Sequence, residues 1–139
     1  MGFNYAGFQV QKNANTVQAE VEKALQIYYR SPFVLTGSSR TDAGVHALQN
    51  FFHFDSERSI APKDIYNLNA ILPPDIMIKK IFPVKDKARC RFEAVAREYS
   101  YYIYTRKNPF LLNRAYYFPY SLNTELMQEA ADKKKKYTD

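Results

Sequence analysis

One stretch of the sequence, Thr36–Phe54, combines residue types that could do chemistry with a backbone suited to presenting them. Its acidic residue, Asp42, lies two positions after Arg40 and two before Gly44. A carboxylate can act as a nucleophile, and loops on a rigid scaffold often present such groups to a substrate. The alternative is a solvated turn with an Arg40–Asp42 ion pair, because aspartate and glycine are common turn residues. In either case we expect the two side chains to be in contact or bridged by one water molecule.

A second stretch places arginines among tyrosines. Arg89 and Arg91 would share one face of a strand, because residues two apart in a strand point to the same side. Arg97 follows, within a tyrosine-rich segment over 94–106 that includes Tyr99. This combination suits contact with phosphates and stacking on bases, which contributes ~1–3 kcal/mol per stacked base. The alternative is packing of the aromatic side chains in a core, which we expect for one of the two strand faces.

The composition limits the class of protein. A chain of 139 residues is long enough for one domain with a buried core, and its net charge of +6 favours an anionic partner. An ordinary basic protein would have the same charge. The single cysteine, Cys90, cannot form an internal disulfide, and no apolar run approaches the ~20 residues that span a bilayer. We therefore expect a cytoplasmic protein with no membrane segment. His46 and His53, with no cysteine cluster, argue against a zinc site.

The elements that must position these residues follow from hydrophobic periodicity and turn residues. In chain order, the predicted elements are a helix over Thr16–Tyr29, a strand over Val45–Phe54, a helix over Lys63–Ile71, a strand over Ile76–Val84, a further strand in the arginine- and tyrosine-rich segment 89–106, and a helix over Leu122–Lys136. Asn15 is the predicted N-cap of the first helix, and Asn123 that of the last. This order predicts an α+β fold in which a mostly antiparallel sheet carries two or three helices on one face. The other face would be open to a ligand.

The run RTDAGVHAL, Arg40–Leu48, resembles the signature of the TruA-type tRNA pseudouridine synthases. Two further segments agree with that family in the same order, Asn4–Gln9 upstream and Arg91–Ala94 through 99–101 downstream. The resemblance covers nearly the whole chain. It departs at Ser39, where the family usually has glycine.

The resemblance implies isomerisation of uridine to pseudouridine in the anticodon stem-loop of tRNA. The glycosidic carbon–nitrogen bond breaks, the uracil turns, and its carbon 5 joins the sugar, so neither a cofactor nor a metal is expected. The target base must be flipped out of its stack first. The resemblance implies Asp42 as catalytic nucleophile, Arg40 as the residue that holds the RNA open, and Tyr99 as the residue that packs on the target base. Arg91 and Arg97 join them as predicted substrate-binding residues.

The resemblance also implies an organisation. Residues 1–120 would form the catalytic α+β domain, of the pseudouridine synthase N-terminal type. Residues 121–139 would form a helix leading toward a second domain that the chain lacks. The chain is also expected to lack a first strand, to self-associate as a homodimer, and to be inactive alone because half of the cleft would be missing.

Two other functions remain open. The first is a non-catalytic α+β RNA-binding module, which would bind tRNA without turnover. The second is a glycoside-cleaving hydrolase that uses Asp42, but such sites normally need two carboxylates, and Asp55 and Glu57 have no favourable spacing.

Overall fold

The computed structural model describes residues 1–135. The chain forms two compact units, Met1–Arg97 and Glu98–Asp139. The first unit contains helix α1 (Val17–Tyr29), strands β1 (Thr36–Gly37) and β2 (Phe52–His53), a 3₁₀ turn (Pro62–Asp64) and helix α2 (Ile65–Ile71). The second contains strand β3 (Ile103–Tyr104), a 3₁₀ turn (Pro109–Leu111), strand β4 (Tyr116–Tyr117) and helix α3 (Thr124–Lys134). Helices and strands together confirm the predicted α+β class. None of the helices within residues 1–135 has the length and apolar character to cross a bilayer.

Helix α1 is confirmed, but its predicted N-cap is wrong. Thr16, rather than Asn15, has the extended backbone of a cap, with φ −134° and ψ 152°. Its hydroxyl accepts a hydrogen bond from the amide of Ala19 at 3.3 Å, which satisfies one of the amides that a helix start leaves unpaired. The helix ends at Arg30, whose φ of 55° is left-handed, two residues before the predicted stop at Pro32.

The core of the first unit lies between α1 and α2. Leu68 of α2 is 0 % exposed and Leu25 of α1 is 1 % exposed. Burial of such a side chain contributes about 1.5–3 kcal/mol. The cluster consists of Val21, Ala24, Leu25, Tyr29, Phe33, Leu35, Leu68, Leu72 and Ile78. At the end of α2, Ile71 is exposed, whereas Leu72, the next residue, lies in the core.

A tyrosine–carboxylate pair ties α1 to the turn before α2. The Tyr29 hydroxyl donates to Asp64 Oδ2 at 2.8 Å, and the Tyr28 hydroxyl donates to Asp64 Oδ1 at 3.2 Å. The bond from Tyr29, together with one from the amide of Ala61, holds the pKa of Asp64 below its usual range. Burial and the bond to Asp64 raise the pKa of Tyr29. The pair therefore consists of a charged carboxylate and a neutral phenol at neutral pH.

The strands pair in two separate ways. In the first unit, β1 and β2 are antiparallel, with Thr36 opposite His53 and Gly37 opposite Phe52. In the second unit, β3 and β4 are parallel. The prediction of a mostly antiparallel sheet therefore holds for the first pair only.

The predicted strands are much longer than the observed ones. Of Val45–Phe54 only β2 is a paired strand, and 76–84 contains no paired strand among the described residues. Arg89 and Arg91 lie in a turn, not on a strand face, because the amides of Phe92 and Glu93 both donate to the Arg89 carbonyl at 3.0 Å. Strand propensity reports how a residue suits a pleated surface, so it cannot create a strand where no neighbour pairs.

The second unit exposes the aromatic side chains that were expected on a sheet. Tyr99, Tyr101 and Tyr102 are all exposed, and the expected core burial of one face is wrong. Tyr104 packs on Tyr117 across the parallel pair, with ring centroids 5.1 Å apart.

Helix α3 begins as predicted. The amide of Leu126 donates to the side chain of Asn123 at 3.0 Å, which confirms Asn123 as the N-cap. The predicted end of this helix, Lys136, lies outside the described residues. Its apolar side chains, including Leu126 and Met127, are exposed.

Candidate active site

The loop that carries Asp42 is held by a segment from near the start of the chain, Gly2–Phe8, which we call the brace. Ahead of Asp42, the carbonyl of Thr41 accepts a hydrogen bond from the amide of Phe8 at 3.2 Å. After Asp42, the amide of Gly44 donates to the carbonyl of Tyr5 at 3.1 Å. The backbone on both sides of Asp42 is therefore fixed by partners distant in sequence.

The loop closes on itself as a tight turn. The amide of Val45 donates to the carbonyl of Asp42 at 3.2 Å. Gly44, within this turn, has a φ of 77°, in the left-handed region that favours glycine. At the end of the turn, His46 Nδ1 accepts a hydrogen bond from the amide of Gly2 at 2.8 Å, so this histidine orients the loop through the brace.

The side chain of Asp42 is exposed, and so is that of Arg40. The ion pairs within residues 1–135 belong to α3, and neither Arg40 nor Asp42 takes part in them. The sequence predicted that these two side chains are in contact or bridged by one water molecule, and within residues 1–135 they form no direct ion pair. The Asp42 carboxylate is exposed, on a backbone that the brace holds on both sides.

The residues ahead of Asp42 are held by Asn50, which sequence reasoning did not single out. Asn50 Oδ1 accepts hydrogen bonds from the hydroxyls of Ser38 at 3.0 Å and Ser39 at 3.2 Å. The amide of Ser38 donates to the carbonyl of Phe51 at 2.8 Å, just beyond the β1–β2 pair. Ser39, where the chain departs from the family signature, thereby adds a bond that glycine could not make. The available signal was a polar amide directly before the aromatic run Phe51–Phe54.

Arg97 reaches this loop. Its Nη2 donates to the carbonyl of Ser38 at 2.9 Å. This places one of the predicted substrate-binding arginines on the segment that carries Arg40 and Asp42. Arg91 lies exposed in the turn described above, and Tyr99 lies in the second unit, where 64 % of its surface is exposed.

Cys90 and His53 form a local pair beside β1. The Cys90 sulfur lies 3.1 Å from His53 Nδ1 and 3.1 Å from the carbonyl oxygen of Thr36. Burial raises the pKa of the Cys90 thiol, which disfavours the nucleophilic thiolate. The pair is therefore a structural contact. Within residues 1–135, no three His, Cys, Asp or Glu side chains are grouped to hold a metal ion.

A cavity of about 850 Å³ opens in the first unit and adjoins the loop at Thr41 and Val45. Its apolar lining includes Val21 and Leu25 of α1, and further apolar side chains from the segments 51–60 and 76–84. Its charged lining has five basic side chains and three acidic ones. These are Arg58, Lys79, Lys80, Lys85 and Arg89, and Asp55, Asp75 and Asp86. The excess of positive charge favours an anionic ligand beside the loop.

Comparison with known proteins agrees with these features. Residues 1–93 match the family model described as tRNA pseudouridine synthase. The chain is 43 % identical over 139 residues to the tRNA pseudouridine synthase A of Azobacteroides pseudotrichonymphae, which covers 99 % of this chain and 56 % of the relative. It is 44 % identical over 135 residues to that of Bacillus subtilis, covering 94 % of this chain and 55 % of the relative. The chain thus spans about half the length of these relatives. With the family model matching more than half of the chain, the resemblance is confirmed, and the chain belongs to the tRNA pseudouridine synthase family.

Proposed function

We propose that this chain carries the nucleophile of an enzyme that isomerises uridine to pseudouridine in the anticodon stem-loop of tRNA, and that Asp42 is that nucleophile. The supporting observation is the exposed Asp42 carboxylate on a loop whose backbone is braced at Thr41 and Gly44. A carboxylate fixed in this way can meet a flipped-out nucleotide without first reorganising its own loop. Family membership and the names of the relatives support the reaction class.

The substrate-binding roles are part of the same proposal. Arg40 would hold the RNA open where the base leaves, and Tyr99 would pack on the target base. Arg97 gives one N–H to Ser38, and a guanidinium carries five N–H donors, so Arg97 can hold the loop and also contact phosphate. Arg91, exposed in its turn, would contact the RNA backbone.

The wider organisation is likewise a proposal. The enzyme would work as a homodimer in the cytoplasm and need no cofactor, because the reaction involves no redox step. Residues 1–120 would be its catalytic α+β part, and the segment 121–139 would lead toward a further domain. The support for a further domain is the length of the relatives, because the chain matches only 56 % of one and 55 % of another.

The test is pseudouridine formation on unmodified tRNA by the natural full-length protein, with Asp42→Ala alongside. Removal of the nucleophile should lower kcat on the order of 10³-fold or more, while tRNA affinity stays within about twofold. Asp55→Ala is the matched control, since Asp55 is also an exposed carboxylate of the first unit. It should leave pseudouridine formation unchanged, and a comparable loss in this control would mean that the effect is not specific to Asp42.

The same experiment distinguishes a non-catalytic RNA-binding module. This alternative draws on the exposed tyrosines of the second unit, of which Tyr101 is 87 % exposed. Such a module would bind tRNA and form no pseudouridine, with or without Asp42. In both cases the basic charge predicts that tRNA affinity falls steeply with added salt.

A further inference from the structure

The carboxylate of Asp75 is engaged by two residues of the brace. The Tyr5 hydroxyl donates to Asp75 Oδ1 at 2.6 Å, and the side-chain amide of Asn4 donates to Asp75 Oδ2 at 3.1 Å. Asp75 itself lies just past the end of α2, in a turn that the amide of Ile76 closes on the carbonyl of Pro73. Both carboxylate oxygens are therefore directed at consecutive brace residues.

Tyr5 connects this contact to the Asp42 loop. Its side chain is 5 % exposed, so the ring is fixed inside the first unit. Its carbonyl accepts the amide of Gly44, two residues after Asp42. A continuous path of two hydrogen bonds thus runs from Asp75 through Tyr5 to the turn that presents Asp42.

The charges of the pair suit a strong hydrogen bond. Burial raises the pKa of Asp75, but the bonds from Tyr5 and Asn4 outweigh it and hold the pKa below its usual range. Burial and the bond to Asp75 raise the pKa of Tyr5. At neutral pH a charged carboxylate thus accepts from a neutral phenol, and such charge-assisted bonds are shorter and stronger than neutral ones.

We propose that Asp75 is a positioning residue for Asp42: by holding Asn4 and Tyr5 it fixes the brace, and through the brace it fixes the turn at Gly44. The proposal rests on the proposed function, in which Asp42 attacks the substrate. Asp75 acts through Tyr5. The loss of this support displaces the nucleophile, and a misplacement of about 1 Å can cost about 10²-fold in rate.

The test compares two equivalent tyrosine–carboxylate pairs in the natural full-length protein. Asp75→Asn and Tyr5→Phe weaken the pair that holds the brace. Asp64→Asn and Tyr29→Phe are the matched controls. Tyr29 also donates to a carboxylate, that of Asp64, at 2.8 Å, but this bond joins α1 to the turn before α2 and does not hold the brace. Two quantities are measured in each variant: the hydrogen exchange rate of the Gly44 amide by NMR, and kcat and KM for pseudouridine formation.

We expect Asp75→Asn and Tyr5→Phe to speed Gly44 exchange about tenfold or more and to lower kcat by about tenfold or more, with KM within about twofold. The control variants should change neither the exchange rate of the Gly44 amide nor kcat. This should hold even where they lower the melting temperature as much as Asp75→Asn and Tyr5→Phe do. Equal kcat values in the two sets of variants, or unchanged Gly44 exchange in Tyr5→Phe, would overturn the proposal. Should Asp75→Asn fail to fold, Tyr5→Phe gives the same comparison by removing a single hydroxyl.

A wild-type protein that forms no pseudouridine would count against the proposed function instead. In that case the Gly44 exchange rates alone decide whether Asp75 holds the loop. The two failures are therefore distinguishable.

Discussion

The backbone of Gly7 lies directly against the carbonyl of Thr41. A Cβ atom on Gly7 would stand 2.3 Å from the Thr41 oxygen, closer than any real Cβ contact, and Gly7 has a φ of 99°. One residue later, the amide of Phe8 donates to that same oxygen at 3.2 Å. The position of Thr41, the residue before Asp42, therefore depends on Gly7 of the brace having no side chain.

Gly7→Ala should destabilise the protein and displace the loop. The substitution places Cβ against a backbone carbonyl, which cannot move aside without breaking the bond to Phe8, and it also strains the left-handed backbone. Left-handed strain alone costs about 1–3 kcal/mol, so the free energy of unfolding should fall by more than that range. Urea denaturation measures the free energy of unfolding.

Gly44→Ala is the matched comparison for that prediction. Gly44 also has a left-handed φ, 77°, but a Cβ there would meet nothing within 4 Å. The free energy of unfolding of Gly44→Ala should therefore fall by no more than about 1–3 kcal/mol. Equal losses in the two variants would mean that contact with Thr41 contributes nothing.

Asn50→Ala should cost about 1–3 kcal/mol, the usual penalty for buried polar groups left without partners. The hydroxyls of Ser38 and Ser39 both donate to Asn50 Oδ1, and Ser38 is buried. Asn50→Asp keeps a hydrogen-bond acceptor at this position, so its free energy of unfolding should fall less than that of Asn50→Ala. The free energies of unfolding of the two variants, measured in urea, check this. If Asn50→Asp lost as much as Asn50→Ala, the acceptor role of Asn50 would be wrong.

Thr16→Ala should destabilise the protein by about 0.5–2 kcal/mol, the usual cost of removing a helix cap. The Thr16 hydroxyl accepts from the Ala19 amide, and Thr16 is fully buried. Asn15→Ala is the control. Asn15 accepts from the Ala6 amide through its backbone carbonyl, which the substitution keeps. Asn15→Ala should change the free energy of unfolding by no more than about 0.5 kcal/mol. In thermal melts, the melting temperature of Thr16→Ala should therefore lie below that of Asn15→Ala.

Acid should destabilise the first unit through Asp64 and Asp75. The bond from Tyr29 holds the pKa of Asp64 below its usual range, and the pKa of Asp75 is also lowered, despite its burial. Because the folded pKa lies below the unfolded value of about 3.9, the unfolded state binds more protons in this range. The contribution to stability is therefore complete above about pH 5 and is lost as pH falls through the folded pKa.

Melting temperatures between pH 7 and pH 2.5 test this sign. Asp64→Asn removes one of the two titrating groups, so its melting temperature should fall less steeply with acid than that of the wild type. A parallel fall in both proteins would show that Asp64 contributes nothing to the acid transition.

Several features of this protein follow from the sequence alone. The spacing of apolar residues located α1, because helical periodicity depends on neighbours within one turn. Asn123 was identified as a cap for the same reason, since its partner Leu126 is three residues away. The nine-residue run from Arg40 to Leu48 was sufficient to indicate the family, because a long contiguous motif is specific without reference to the fold. The α+β class followed from the order of the elements.

The tertiary structure alone decided which distant groups meet. The contacts of Asp42's loop with Gly7, Tyr5 and Asn50 join positions far apart in sequence, and no local pattern encodes them. The bond from Arg97 to the Ser38 carbonyl depends on where a backbone oxygen points, which residue types do not reveal. Strand lengths were overestimated for a related reason. A helix satisfies its backbone within its own segment, whereas a strand exists only where another segment supplies hydrogen-bond partners.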